Sequence, residues 1–185
     1  IRQEIIESKI SINQNSLDKL KILVLGGSQA AKSFAEELPE IFLKVKNSGI
    51  SIEVFQQCLQ KQNTQLSNYY KKAEINHEIF NFTDDILNYY LKANLVITRS
   101  GASVLGELLN VKKPFISIPL PSAADQHQLK NAEFYKKKGY GFLLEEKDIK
   151  KKLFDLIKNL SENKELIKDM LFNQKQHSDK DIFTI

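Results

Sequence analysis

Three short segments of the chain hold the residue types that anion and polyol binding require. The first is Leu23-Val24-Leu25-Gly26-Gly27-Ser28-Gln29, a run of β-branched and aliphatic residues ending in two glycines. Paired glycines let the backbone turn tightly and approach a ligand. A helix opening behind them would present free N–H groups with a partial positive charge, a setting suited to phosphate. The second is Leu95-Val96-Ile97-Thr98-Arg99-Ser100-Gly101-Ala102-Ser103, which reads as a strand turning into a helix that carries Glu107. Small residues there leave room for a diphosphate, and a carboxylate one turn into the helix suits a ribose diol; an ordinary solvated Glu107 and an ion-paired structural Arg99 are the plainer alternatives. The third runs from Ile118 through Pro119, Pro121, Asp125, Gln126, His127 and Gln128 to Asn131 and Ala132. Its amides and imidazole donate and accept at once, as a sugar's hydroxyls demand.

Other chemistries find little support. No Cys/His group has metal-ligand spacing, so no metal is expected, and no Ser-His-Asp order sits in a nucleophile elbow. The G-x-G-x-x-G turn of dinucleotide oxidoreductases is absent. His77 and His177 lie in polar surroundings and read as solvated. The lone Cys58 sits in an apolar stretch and reads as a buried thiol of a reducing compartment.

These segments need a scaffold. Six β-rich runs, at 21–25, 51–55, 78–82, 95–98, 115–118 and 141–144, alternate with helical patterns. The alternation predicts an α/β fold, a Rossmann-like doubly wound parallel sheet with helices on both faces. Most of the runs are continuously apolar, as strands buried on both sides are. Phe34, Leu38, Ile41, Phe42 and Val45 recur at helical spacing, and Pro39 predicts that one helix ends near Leu38 and another begins at the proline. Helices are also expected over 84–92, with Ile86, Leu87, Tyr90 and Leu91 on the apolar side, and over 101–109 and 125–138. From Lys147 the pattern is helical almost to the end, with a break near Ser161 as an N-cap.

The chain has 185 residues, 42% of them hydrophobic, which suits one sizeable core. The net charge of +4 comes from 130–180, where 13 lysines face 9 acids. Those lysines alternate with acids at helical spacing and lack interleaved aromatics, so they read as solvated helix faces, and no nucleic-acid partner is expected. No window approaches the roughly 18 uninterrupted apolar residues of a membrane span. The opening Ile1-Arg2-Gln3-Glu4 has neither an initiator Met nor signal-peptide order, and reads as a start inside a longer chain.

Taken together, the segments resemble the C-terminal half of the two-domain GT-B glycosyltransferases, in particular those that add N-acetylglucosamine to the lipid-linked peptidoglycan precursor. Gly26-Gly27-Ser28-Gln29-Ala30-Ala31 resembles that family's G-G-S-Q-G-A. Arg99-Ser100-Gly101-Ala102 with Glu107 resembles its R-[AS]-G-A followed by a helical Glu. Asp125-Gln126-His127-Gln128 with Asn131-Ala132 resembles its D-x-H-Q-x-x-N-A.

The resemblance implies a donor site for UDP-N-acetylglucosamine (UDP-GlcNAc). Ser28 and Gln29 would face the diphosphate and sugar. Ala102, Ser103, Val104, Leu105 and Gly106, following Arg99 and Gly101, would bring helix N–H groups to the phosphates. Glu107 would hold the ribose, Phe82 and Thr83 would meet the uracil, and Gln128 with His127 and Asn131 would contact the sugar. Arg2 would belong to an interdomain segment. Val104 stands where a phosphate-binding Thr is common. The implied layout is an interdomain remnant at 1–20, a donor domain at 21–160 and a helical tail at 161–185.

The resemblance further implies an inverting transfer of N-acetylglucosamine to lipid I, with acceptor and base held by a missing N-terminal domain, so that these residues alone are inactive. It implies a peripheral location on the cytoplasmic face of the bacterial inner membrane. The competing readings are the donor-binding subunit of a split UDP-GlcNAc transferase, as in eukaryotes, and a non-catalytic nucleotide-binding module.

Overall fold

The computed structural model describes residues 19–122 and 126–177, and within the first helix the side chains of 28–31 fall outside the description. Among the described residues six parallel strands form one sheet: β1 (Leu20–Leu25), β2 (Ile52–Gln57), β3 (Asn76–Phe80), β4 (Leu95–Thr98), β5 (Phe115–Ser117) and β6 (Phe142–Leu143). They lie in the order β3-β2-β1-β4-β5-β6, so the direction of winding reverses between β1 and β4. Among the described residues seven α-helices cover the faces: α1 (Gly27–Asn47), α2 (Asn63–Lys72), α3 (Ile86–Lys92), α4 (Ala102–Asn110), α5 (His127–Lys137), α6 (Ile149–Glu162) and α7 (Lys164–Gln176).

The apolar runs sort themselves by parity. Side chains alternate along a strand, so Ile22 and Val24 of β1 point to one face and Leu23 and Leu25 to the other. The first pair joins Phe34, Leu38 and Phe42 of α1, Tyr70 of α2 and Leu153 and Ile157 of α6. The second pair joins Tyr89 and Tyr90 of α3 and Leu105 and Leu108 of α4. A strand between two such layers must be apolar throughout, which explains the continuous runs at β1 and β4. β3, at the edge, alternates between exposed and more buried positions.

Several expectations need correction. Pro39 does not divide its segment: α1 runs unbroken from 27 to 47. Phe34, Leu38, Ile41, Phe42 and Val45 are all buried on one stripe that keeps its phase through the proline. Burial of that stripe outweighs the roughly 3 kcal/mol that an interior proline costs. The third strand lies two residues earlier than expected, because Asn81 turns the chain out of the sheet by donating to the Cys58 carbonyl at 2.9 Å and to Asn63 at 2.7 Å. Ser161 is no N-cap: its hydroxyl donates back to the Lys158 carbonyl within α6, and the break comes at Asn163. Leu91 is exposed, and Tyr89 takes the buried place instead. The helix α2 had no place in the sequence reading.

Neither His77 nor His177 is simply solvated. His77 bridges the Ile75 carbonyl at 2.8 Å and Ser67 at 2.9 Å, and His177 lies against Tyr140, whose hydroxyl is 3.2 Å from Nδ1. Cys58 is buried, with its thiol 3.1 Å from Asn63 Oδ1, and burial pushes its pKa up. α7 is tied to the sheet layer by Gln174, whose Nε2 donates to the carbonyls of Lys113 and Tyr140.

Candidate functional site at the sheet switch point

Where winding reverses, the helices following two adjacent strands lie on opposite faces, and a crevice opens beyond the strand ends. In this chain the adjacent strands are β1 and β4, paired Leu25 to Thr98, and their turns are joined by a hydrogen bond from Arg99 N to the Leu25 carbonyl. A cavity of about 440 Å³ fills the crevice. Its floor is made by Leu25, Gly26 and Gly27 from the first turn and Thr98, Arg99 and Gly101 from the second. Phe80, Phe82, Thr83, Ile86 and Tyr90 also line it, as do Val104, Glu107, Leu120 and Gln128.

Two helix N-termini open at this cavity. α1 begins without a side-chain cap, and Gly27 holds φ +66°, the left-handed conformation that glycine adopts without strain. Its N–H donates to Gln57 Oε1 at 3.2 Å, while Gln57 Nε2 donates to the Asn81 carbonyl. One amide at the end of β2 thus braces the glycine turn against the segment leading to Phe82. α4 begins after an extended Gly101, again without a side-chain cap. Its first intrahelical bond runs from Leu105 N to the Gly101 carbonyl, so the peptide N–H groups of Ala102, Ser103 and Val104 precede the helical ladder. Those orphan donors and the helix dipole make the turn attractive to an anion.

The structure distributes the sequence-derived residues unevenly. Phe82, Thr83, Arg99, Gly101, Val104, Glu107 and Gln128 line the cavity. Ala102 and Ser103 are exposed on the first turn of α4, whereas Leu105 and Gly106 are buried in the body of the helix, with Leu105 in the core. His127 is exposed at the start of α5 and is not among the lining residues. Arg2 and the side chains of Ser28 and Gln29 lie outside the described residues, as does Asp125.

Several of these side chains already have partners. Arg99 is 5% exposed and forks onto Glu146 at 3.1 and 3.3 Å; it also donates to Ser33 Oγ at 2.6 Å and lies over the Phe34 ring. Its charge is therefore met by a carboxylate of the protein. Gln128 Oε1 accepts from the backbone N–H of Ser100 and of Leu120, and Asn131 Nδ2 donates to the Ser100 carbonyl. Together these two amides pin the turn after β4 to α5. Glu107 is 8% exposed, and its Oε2 accepts from Tyr90 OH at 2.9 Å. Phe82 is 73% exposed at the rim, a flat aromatic face beside the opening.

Tyr90, Phe80 and Ile86 are lining residues that the motifs did not mark. Tyr90 read as one more apolar helix position, and its only signal was that a buried phenol needs a partner; that partner lies 17 residues away, beyond the reach of local pattern. Among the described residues no group of His, Cys, Asp and Glu could hold a metal ion. Nor is any described helix long and apolar enough to cross a membrane.

A doubly wound parallel sheet with a crevice at its switch point, where two helix N-termini open, is a Rossmann-like domain. Residues 21–184 match the glycosyltransferase family 28 C-terminal domain, and the chain belongs to that family. A relative from Pelagibacter ubique (strain HTCC1062), named UDP-N-acetylglucosamine--N-acetylmuramyl-(pentapeptide) pyrophosphoryl-undecaprenol N-acetylglucosamine transferase, is 38% identical over 151 residues. The match covers 81% of this chain and 42% of the relative. A relative of the same name from Rickettsia typhi (strain ATCC VR-144 / Wilmington) is 40% identical over 162 residues, 84% of this chain and 42% of its own length. The chain thus spans less than half the length of these curated relatives.

Among solved structures, the crystal structure of Acinetobacter baumannii MurG superposes with a TM-score of 0.77 at 25% identity, covering 92% of this chain and 51% of that one. A UDP-N-acetylglucosamine 2-epimerase superposes at 0.61 with 15% identity over 84% of this chain and 38% of its own, a likeness of fold alone.

Proposed function

We propose that this chain binds UDP-N-acetylglucosamine in the switch-point crevice and presents it for transfer to a lipid-linked muramoyl-pentapeptide acceptor. The observation that carries the reading is the convergence of two helix N-termini, that of α4 with no side-chain cap, and the Glu107 carboxylate on one cavity. Peptide N–H groups at the N-terminus of α4 suit the diphosphate, Glu107 suits the ribose hydroxyls, and Phe82 with Thr83 suits the base. Gln128 Nε2 suits a sugar hydroxyl. The names of the similar transferases from Pelagibacter and Rickettsia support the choice of donor and acceptor.

The chemistry proposed is a single displacement. The acceptor hydroxyl attacks the anomeric carbon, the bond to the diphosphate oxygen breaks, and UDP departs with inversion. Negative charge grows on the leaving diphosphate, so preorganised N–H donors that meet it there stabilise the transition state more than the ground state. In this reading the residues of this chain do that work, while the base and the acceptor groove belong to the part of the relatives that the match does not cover. Peripheral attachment to the cytoplasmic face of the membrane completes the reading, since the acceptor is lipid-linked.

Calorimetric titration of the chain with UDP-N-acetylglucosamine, UDP-glucose and NAD tests it. The uridine nucleotides should bind, the N-acetyl sugar more tightly than glucose, and NAD should not. Tighter binding of NAD than of either uridine ligand would contradict the proposal.

A further inference from the structure

We propose that Tyr90 is a positioning residue that sets the ribose selectivity of the crevice by holding the Glu107 carboxylate in one orientation; this rests on the donor-binding reading above. Tyr90 is 1% exposed, its ring packed in the core layer shared by α3 and α4, and its hydroxyl donates to Glu107 Oε2 at 2.9 Å. Both side chains line the cavity. Glutamate has three side-chain torsions, and fixing them on ligand binding costs entropy. A rigid aromatic ring that delivers its O–H to one carboxylate oxygen pre-empts that cost. It leaves the remaining lone pairs of the carboxylate to accept from two neighbouring hydroxyls.

The placement also meets a requirement of burial. A nearly enclosed carboxylate needs hydrogen-bond donors in the protein. Tyr90 supplies one donor from the wall without occupying the mouth of the cavity. The role differs from filling the core, because the ring of phenylalanine would fill the same space and lack only the hydroxyl.

The test compares UDP with 2′,3′-dideoxy-UDP as calorimetric ligands of the 185-residue chain and its Tyr90→Phe variant, with melting curves showing that the variant stays folded. The unaltered chain should prefer UDP about tenfold, as expected for lost hydrogen bonds to a charged group. Tyr90→Phe should weaken UDP roughly fivefold, the worth of about one hydrogen bond, and leave the dideoxy ligand unchanged. In a Glu107→Ala background, where the Tyr90 hydroxyl has no acceptor at residue 107 to hold, adding Tyr90→Phe should change neither affinity.

Equal weakening of both ligands by Tyr90→Phe, or no weakening of either, would overturn the positioning role. If the unaltered chain binds UDP without preferring the diol, the Glu107 contact fails and the role of Tyr90 falls with it, while UDP binding stands. If it binds neither ligand, the donor-binding reading itself fails.

Discussion

Arg99 lines the cavity floor and at the same time ties the elements around it together. Its guanidinium reaches across the crevice floor to Glu146 before α6, Ser33 of α1 and the carbonyls of Ile118 and Pro119 after β5. Five donors in a rigid fork suit such a junction, and an ammonium cannot reproduce it. Removing one partner of a buried ion pair costs about 3–5 kcal/mol. Because the Glu146 side chain is 21% exposed and partly screened by water, the loss here should be nearer 2 kcal/mol. Arg99→Met is therefore expected to lower the melting temperature by several degrees, with Arg99→Lys in between, as read by circular dichroism. A melting temperature unchanged in Arg99→Met would show that the junction contributes nothing. At this scale the residue types were legible in the sequence and their partners were not. Glu107 with Tyr90, Arg99 with Glu146 and Gln128 with Ser100 are each separated by 17 or more positions, and only the fold brings them together.

At the scale of elements, close approach of β6 to β5 depends on the absence of a side chain. Gly141 precedes β6, and a Cβ there would overlap the ring of Phe115, which is itself fully buried between the sheet and α5. The neighbour is the body of an aromatic ring in a packed core, so it has little room to give. Gly141→Ala should destabilise the chain by about 1–3 kcal/mol, the usual cost of overpacking, measured by urea unfolding; an unchanged midpoint would show that Phe115 repacks freely. Element positions were mostly legible because apolar runs and helical stripes come directly from two-sided burial. The exceptions have local causes. Pro39 is overruled by a continuous buried stripe, β3 lies two residues early because Asn81 bends the chain out of the sheet, and α2 gives little pattern because only Leu66 and Tyr70 are buried in a polar run.

For the molecule as a whole, the account depends on where the winding of the sheet reverses. The order β3-β2-β1-β4-β5-β6 sets the ends of β1 and β4 side by side, so two helices whose first residues, Gly27 and Ala102, are far apart in sequence open at one cavity. The alternation of strands and helices predicted the class of fold, and the two turns predicted which strands would flank the crevice. The central claim is that the peptide groups at these helix N-termini receive a nucleotide diphosphate. Amide chemical-shift mapping of the ¹⁵N-labelled chain during titration with UDP tests it most directly. The largest shifts should fall on Gly27, Ala102, Ser103 and Val104, with smaller ones at Phe82, Thr83 and Glu107. Shifts confined to residues away from the crevice, with those four amides unmoved at saturating UDP, would contradict the account.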